Sequence, residues 1–334
     1  MKKYNVNFYI IMYLIGYSFY FHQVYTQILY SKLGLQFIIP FLLGYLLLPI
    51  FFIYISKKIN YKLNYKLNFM YKILTIIYLA INSLIVINYV SVMIHNYYYQ
   101  ATNSLVVCFF LLLPLLYVVI KGSDIYYSLI FFVLIIFTGF KLLYGLNPNT
   151  SDFYPFYNIL NMKNYLSIIL LSIPILIEPI ILLSNNRIDS KVNLKVIIPF
   201  SLIISFISIY SLLREISEFG VLLEILSFPY YESCKLITFD SNFDNIDYYY
   251  IFSLATSIFS RIPLFFFTIK DTFLLKTKHI FIIFAFFFLC LYLLVRKLSF
   301  YTQTIIPILY VSSVVLIIMF IMTFFLKENK NAKG

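Results

Sequence analysis

Two residues of this chain carry charge where charge is expensive. Glu178 lies in the run Ser172-Ile173-Pro174-Ile175-Leu176-Ile177-Glu178-Pro179, and Arg261 lies in Ser257-Ile258-Phe259-Ser260-Arg261-Ile262-Pro263. If these runs cross a bilayer, either charge alone costs roughly 2.5–3.5 kcal/mol or more, so both must face the protein interior and have partners. Each lies near the middle of its run, and opposite charges at similar depth suit a mutual ion pair. They suit equally a ligand role in which Arg261 takes a carboxylate. A second pattern accompanies them. Gly16-Tyr17-Ser18, followed by His22 and Gln23, interrupts one apolar run, and Pro174, Glu178 and Pro179 interrupt another. Breakers free backbone N–H and C=O groups that must find partners in hydrocarbon, and a polar ligand can be that partner.

Catalysis has little to stand on. His22, His95 and His279 fall in separate segments, and no HExxH, GxSxG, paired-cysteine or P-loop pattern occurs. Cys108, Cys234 and Cys290 are scattered and odd in number, which gives neither a disulfide framework nor a metal site. The expectation is a chain with no catalytic group, no metal and no cofactor. His22 on an apolar span reads first as a hydrogen-bonded helix residue and second as a proton carrier.

The elements that must hold these residues follow from composition. Of 334 residues, 62% are hydrophobic and 11% charged, and the mean hydropathy is +0.91. Soluble chains carry roughly 25% charged residues. A soluble fold of this length could not hide that much apolar surface, so the chain reads as an integral membrane protein. Nucleic-acid binding, a disulfide scaffold and disorder are excluded by the same balance. The 37 Phe, 33 Tyr and absent Trp fit an A/T-rich genome before any selection on chemistry. Lys2 and Lys3 precede an apolar stretch running from about Asn5 to Tyr30. That is longer than the roughly 7–15 residues of a signal h-region, so it reads as a first span.

A hydrocarbon layer about 30 Å thick takes roughly 20 helical residues. On that template the sequence predicts ten spans, near 6–30, 33–55, 70–94, 101–120, 124–146, 164–184, 194–213, 248–269, 279–295 and 302–326. With the N-terminus inside, inner segments hold 17 of the 25 basic residues and outer segments hold 7. Both termini are therefore expected on the cytoplasmic side, and the net charge of +12 belongs largely to inner loops. The repeat Tyr61-Lys62-Leu63-Asn64-Tyr65-Lys66-Leu67-Asn68 stacks Lys58, Lys62 and Lys66 on one face if helical, a topology anchor or an anionic-lipid site.

Ten spans divide as five plus five: residues 1–146 and 164–326, joined by a loop at 147–163 and followed by a tail at 327–334. Inverted-repeat transporters of the LeuT type place substrate at the midplane, where the first helix of each half is broken. The expected ligand site is therefore Gly16, Tyr17, Ser18, His22, Pro174, Glu178 and Arg261. One loop, 214–247, holds seven of the chain's 13 acidic residues together with an apolar stretch broken at Phe228-Pro229. It predicts two short helices covering the outer mouth, with Phe219, Phe228, Pro229, Tyr230 and Glu232 as lid residues. An interfacial anchor is the competing reading.

The same loop carries a resemblance. Glu218-Phe219-Gly220-Val221-Leu222-Leu223-Glu224, Ser227-Phe228-Pro229-Tyr230-Tyr231-Glu232 and Phe243-Asp244-Asn245-Ile246-Asp247 resemble the spore germination permease family, the B subunits of bacterial spore germinant receptors. In order along the chain, Gly16, Lys121-Gly122, Tyr154-Pro155-Phe156 and Asn158-Ile159-Leu160 fit as well, and Arg261 falls where relatives tend to have a basic residue. The chain departs from the pattern at Tyr17, where relatives are Gly/Thr-rich, and at Asp244-Asn245-Ile246-Asp247, which lacks a usual arginine. The resemblance implies the fold of the amino acid–polyamine–organocation transporter superfamily and a location in the spore inner membrane. It also implies a nutrient-sensing role alongside A-type and C-type subunits, with an amino-acid-like ligand; for Arg261 a fixed cation in place of Na⁺ stands as an alternative beside the ion pair and the carboxylate role. An amino-acid secondary transporter is the alternative on the same fold. A polytopic enzyme of lipid-linked glycan synthesis is a third reading, for which the 214–247 loop offers the only candidate groups.

Overall fold

The computed structural model describes residues 6–58, 61–62, 65–98, 100–101, 103–122, 165–184, 192–224, 226, 228–235, 247–297 and 305–328. Almost all of the described residues are helical. Five of its described helices are long and apolar enough to cross a membrane: Ile38–Lys58, Lys66–Tyr97, Tyr165–Ser184, Leu194–Phe219 and Ile305–Thr323. Each has 19 residues or more, which at 1.5 Å per residue matches the hydrocarbon thickness. The predicted fifth span, the loop at 147–163, residues 236–246 of the outer loop and the resemblance stretches at 154–160 lie outside the described residues.

In chain order the helices are α1 (Val6–Tyr20), α2 (Thr26–Leu33), α3 (Ile38–Lys58), α4 (Tyr65–Tyr97), α5 (Ser104–Lys121), α6 (Tyr165–Ile177), α7 (Leu194–Phe219), α8 (Pro229–Lys235), α9 (Asp247–Phe273), α10 (Thr277–Lys297) and α11 (Ile305–Thr323). A π turn, Phe21–Tyr25, joins α1 to α2, and 3-10 segments follow α6 (Glu178–Ser184) and α7 (Gly220–Glu224). The core lies where α4 packs on α9, α3 on α6 and α7, and α1 on α7 and α9, with α11 covering α4 and α6.

The first break falls later than the sequence predicts. Gly16, Tyr17 and Ser18 belong to regular α1, and the irregular backbone begins at Phe21. A lone glycine removes no hydrogen bond, and Tyr17 anchors its turn by packing on Tyr13 and Phe21. The π turn is closed by Thr26, whose backbone N–H and side-chain hydroxyl both donate to the Phe21 carbonyl. Single π turns inside α-helices recur at functional sites.

The second break lies where Glu178-Pro179 predicts it. Pro179 has no N–H to give the α-helical ladder, and α6 narrows to 3-10 geometry at Glu178. Tyrosines from two other helices reach its carbonyls. The Tyr25 hydroxyl donates to Leu171 O at 2.9 Å and the Tyr71 hydroxyl to Ile180 O at 2.7 Å. In hydrocarbon such groups must be satisfied within the protein, and these donors do so.

Two further expectations change. Lys58, Lys62 and Lys66 do not share a helix face, because α3 ends at Lys58 and Tyr61–Lys62 pairs antiparallel with Lys327–Glu328. The extended pairing supplies backbone bonds at Tyr61–Lys62 instead. The seventh span runs on to Phe219, so Arg214 and Glu215 belong to α7 and not to a loop. Gly220 ends it at φ 50, a backbone angle that favours glycine, while its N–H caps Ile216 O.

The two ends of the bundle are distinct. One end joins Asn7 to Asn193 N–H at 2.7 Å, Tyr54 to Thr323 at 2.7 Å, and strand 61–62 to 327–328. The other end joins Gln27 to Glu215 and Tyr97 to Glu232.

Candidate ligand-binding site

Glu178 and Arg261 meet. The Arg261 Nη1 donates to Glu178 Oε1, and both side chains are essentially inaccessible. Two elements besides α9 converge on the carboxylate. Tyr13 from α1 donates to Oε1 at 2.7 Å, and Tyr78 from α4 donates to Oε2 at 2.6 Å. Glu178 thus accepts three hydrogen bonds of roughly four that a carboxylate can take. The guanidinium lies over the Tyr20 ring at 4.2 Å from its centroid and faces the Phe21 ring at 5.7 Å. Tyr20 is itself fixed by donating to Asn82 Oδ1, and Asn82 Nδ2 bonds back to Tyr78 O at 2.8 Å. Charge, ring face and hydroxyl donors together hold a pair whose dehydration alone would be unfavourable.

The balance of hydrogen bonding is uneven. Arg261 Nε and Nη2 are buried without a hydrogen-bond partner among the described residues, and so is the Tyr17 hydroxyl. Tyr17 is stacked between Tyr13 and Phe21, the rings that flank the ion pair, and also touches Tyr45. Unmet hydrogen-bonding capacity therefore remains on Arg261 and on Tyr17, which packs on the Phe21 ring that the guanidinium faces.

The other expected residues fall into two groups. Gly16 and Pro174 are buried helix positions. Ser18 meets Ser208 of α7 at 2.7 Å, while its carbonyl accepts from Tyr45 at 3.4 Å. His22 lies in a second polar cluster. Its Nε2 is 2.8 Å from Glu215 Oε1, and Gln27 Nε2 donates to Glu215 Oε2 at 3.1 Å. His22 and Glu215 are fully buried, and Arg214 pairs with Glu218 beside them at 2.6 Å.

The residues expected to form a lid pack on this second cluster and on α4. Tyr230 of α8 sets its ring perpendicular to His22 at 5.1 Å. Phe228 packs against Tyr89 and Tyr97, and Tyr231 against Tyr97 and Tyr98. Glu232 accepts from Tyr97 at 2.8 Å. Pro229 is buried, Phe219 half-buried, and Leu223 buried while Leu222 is exposed. The segment bridges helix α4 and the π turn of the first span.

Tyr13, Tyr20, Tyr78, Asn82, Ser208, Gln27 and Glu215 were not among the predicted site residues. One signal was available: Tyr71, Thr75, Tyr78 and Asn82 recur at helical spacing, a polar stripe in an otherwise apolar span. Chemically the site can bind and orient. No group of three metal-ligating side chains occurs among the described residues. No family model, curated protein or solved structure matches this chain, so its functional reading rests on this geometry.

Proposed function

We propose that this chain is a ligand-binding membrane subunit of the ten-helix, five-plus-five inverted-repeat type. On this reading a small amino-acid-like nutrient binds between the first, sixth and eighth spans, and the resulting rearrangement is passed to partner subunits. The observation that carries the reading is the buried Glu178–Arg261 pair beside the break in α6, walled by tyrosines from α1 and α4. Intramembrane ion pairs at helix breaks mark binding sites more than they mark stability.

The repeat is supported by the helix pairings. Exchanging the halves sends α1 to α6, α3 to α7, α4 to α9 and α5 to α10. The contacts α4–α9, α3–α7 and α5–α10 then map onto themselves, α3–α6 onto α1–α7, and α5–α9 onto α4–α10. The end that holds strand 61–62 and residues 327–328 also carries Lys57, Lys58 and Lys66, which supports assigning it to the cytoplasmic side. On this reading the segment from Gly220 to Lys235, at the opposite end, faces outside and serves as the lid.

A receptor fits better than an ion-coupled transporter because the counter-charge of Glu178 is tethered. A coupled carrier needs a cation that comes and goes, whereas Arg261 never leaves. Together with the resemblance in the 214–247 loop, this favours a nutrient germinant-sensing subunit of the spore inner membrane, working with A-type and C-type subunits. Deletion of the gene followed by germination assays over a nutrient panel tests it. Loss of response to one nutrient class supports the receptor, and loss of that nutrient's uptake with germination intact supports the transporter.

A further inference from the structure

The leftover hydrogen-bonding groups identify which part of the ligand is recognised, and this step rests on the binding-site reading above. Glu178 is saturated by Arg261, Tyr13 and Tyr78, so it has little left to offer a ligand cation. On Arg261 and the tyrosines and phenylalanine packed around the pair, the buried groups still lacking partners among the described residues are two N–H donors, Arg261 Nε and Nη2, and one hydroxyl, Tyr17 Oη. Arg261 and Tyr17 are both 1% exposed, so water in bulk cannot serve them. Nε and Nη2 form the side-on edge of a guanidinium, whose spacing matches the two oxygens of a carboxylate.

We propose that the site takes its ligand by the carboxylate, held in bidentate fashion on the Nε–Nη2 edge of Arg261 and closed by the Tyr17 hydroxyl, with the Glu178–Arg261 pair left intact. The ligand class is a small carboxylate, and the ammonium group of an amino acid is an aid and not the anchor. The aid comes from charge. The pair is neutral, so a plain carboxylate leaves a net negative charge in a low-dielectric site, while a zwitterion does not. The order of binding is amino acid, then the hydroxy acid that replaces its ammonium by a hydroxyl, then nothing measurable for the decarboxylated amine. Tyr17 also acquires a specific role. Its hydroxyl weakens the empty protein, because it is buried without a partner, and it strengthens the bound one.

The test uses the full-length chain purified in detergent, with thermal unfolding read against three probe sets: small amino acids, the matching 2-hydroxy acids, and the matching amines. The expected result is stabilisation by at least one amino acid, weaker stabilisation by its hydroxy acid, and none by its amine. Tyr17→Phe is expected to unfold at the same or a higher temperature when empty, yet to bind the carboxylates about 10-fold more weakly, the scale of one hydrogen bond to a charged group. Arg261→Lys, which keeps the charge and loses the fork, is expected to lose the stabilisation. Stabilisation by amines but not by hydroxy acids would overturn the carboxylate assignment and leave the binding site standing. Unchanged carboxylate binding in Tyr17→Phe would overturn the role of Tyr17. No stabilisation by any probe set would remove the binding reading itself.

Discussion

The Glu178–Arg261 pair makes a prediction with a calculable size. Both side chains are buried, and the carboxylate is also held by Tyr13 and Tyr78. Glu178→Gln keeps the shape and an oxygen for the tyrosines but leaves the guanidinium uncompensated. Arg261→Gln leaves the carboxylate uncompensated. Breaking a buried pair from one side costs about 3–5 kcal/mol, so each single variant is expected to lose that amount. Independent effects would then total about 6–10 kcal/mol, more than many proteins possess. The double variant buries no lone charge, and its loss should stay near that of either single. The coupling energy is therefore expected to be at least about 2 kcal/mol, the range found for groups in direct contact. Reversible unfolding of the four proteins in mixed micelles measures it. A swap, Glu178→Arg with Arg261→Glu, is expected to recover part of the loss. Strictly additive losses would refute the reasoning, since no pairing energy would then exist to be shared.

Other regions make sharper local predictions. A Cβ added at Gly44 would lie 2.6 Å from Ile175 Cγ2, so Gly44→Ala should destabilise by about 1–3 kcal/mol, less when combined with Ile175→Ala, as measured by a second unfolding cycle. Glu215→Ala removes the acceptor that His22 and Gln27 share next to Tyr230 of the proposed lid. Thiol labelling of Phe228→Cys, with Cys234 replaced, should then rise severalfold, and unchanged labelling would disconnect that cluster from the lid. Lys62→Cys with Lys327→Cys should cross-link under mild oxidation, since the two positions face each other in the antiparallel pairing; failure would separate the tail from the first basic loop.

Much of the membrane architecture was legible because hydropathy over 20 residues is a strong signal. Glu178-Pro179 was legible as a break because proline removes a donor wherever it stands. The π turn was not. It depends on Thr26 reaching the Phe21 carbonyl, a contact between residues five apart that no single residue type announces. Ser18 and His22 were grouped with Glu178 because the first helix of each half carries polar groups near a break, yet an α-helix turns about 100° per residue and aims them at α7 instead. The tyrosines around the pair were obscured by abundance. With 33 of them in the chain, the few that matter differ from the rest only in the helix face they occupy.

The central claim is that a nutrient binds beside the Glu178–Arg261 pair. Its most direct test is saturable binding of radiolabelled nutrients from the germination panel to membranes carrying the wild-type chain, Glu178→Gln or Arg261→Lys, compared at equal amounts of folded protein. The account predicts saturable binding of at least one nutrient to the wild type and a loss of at least about 10-fold in Arg261→Lys, in line with the loss of a charge-assisted contact, while Glu178→Gln, which leaves the guanidinium without its fixed partner, shifts the affinity for carboxylates relative to the wild type. Binding of equal strength to all three proteins would place the ligand elsewhere and contradict it.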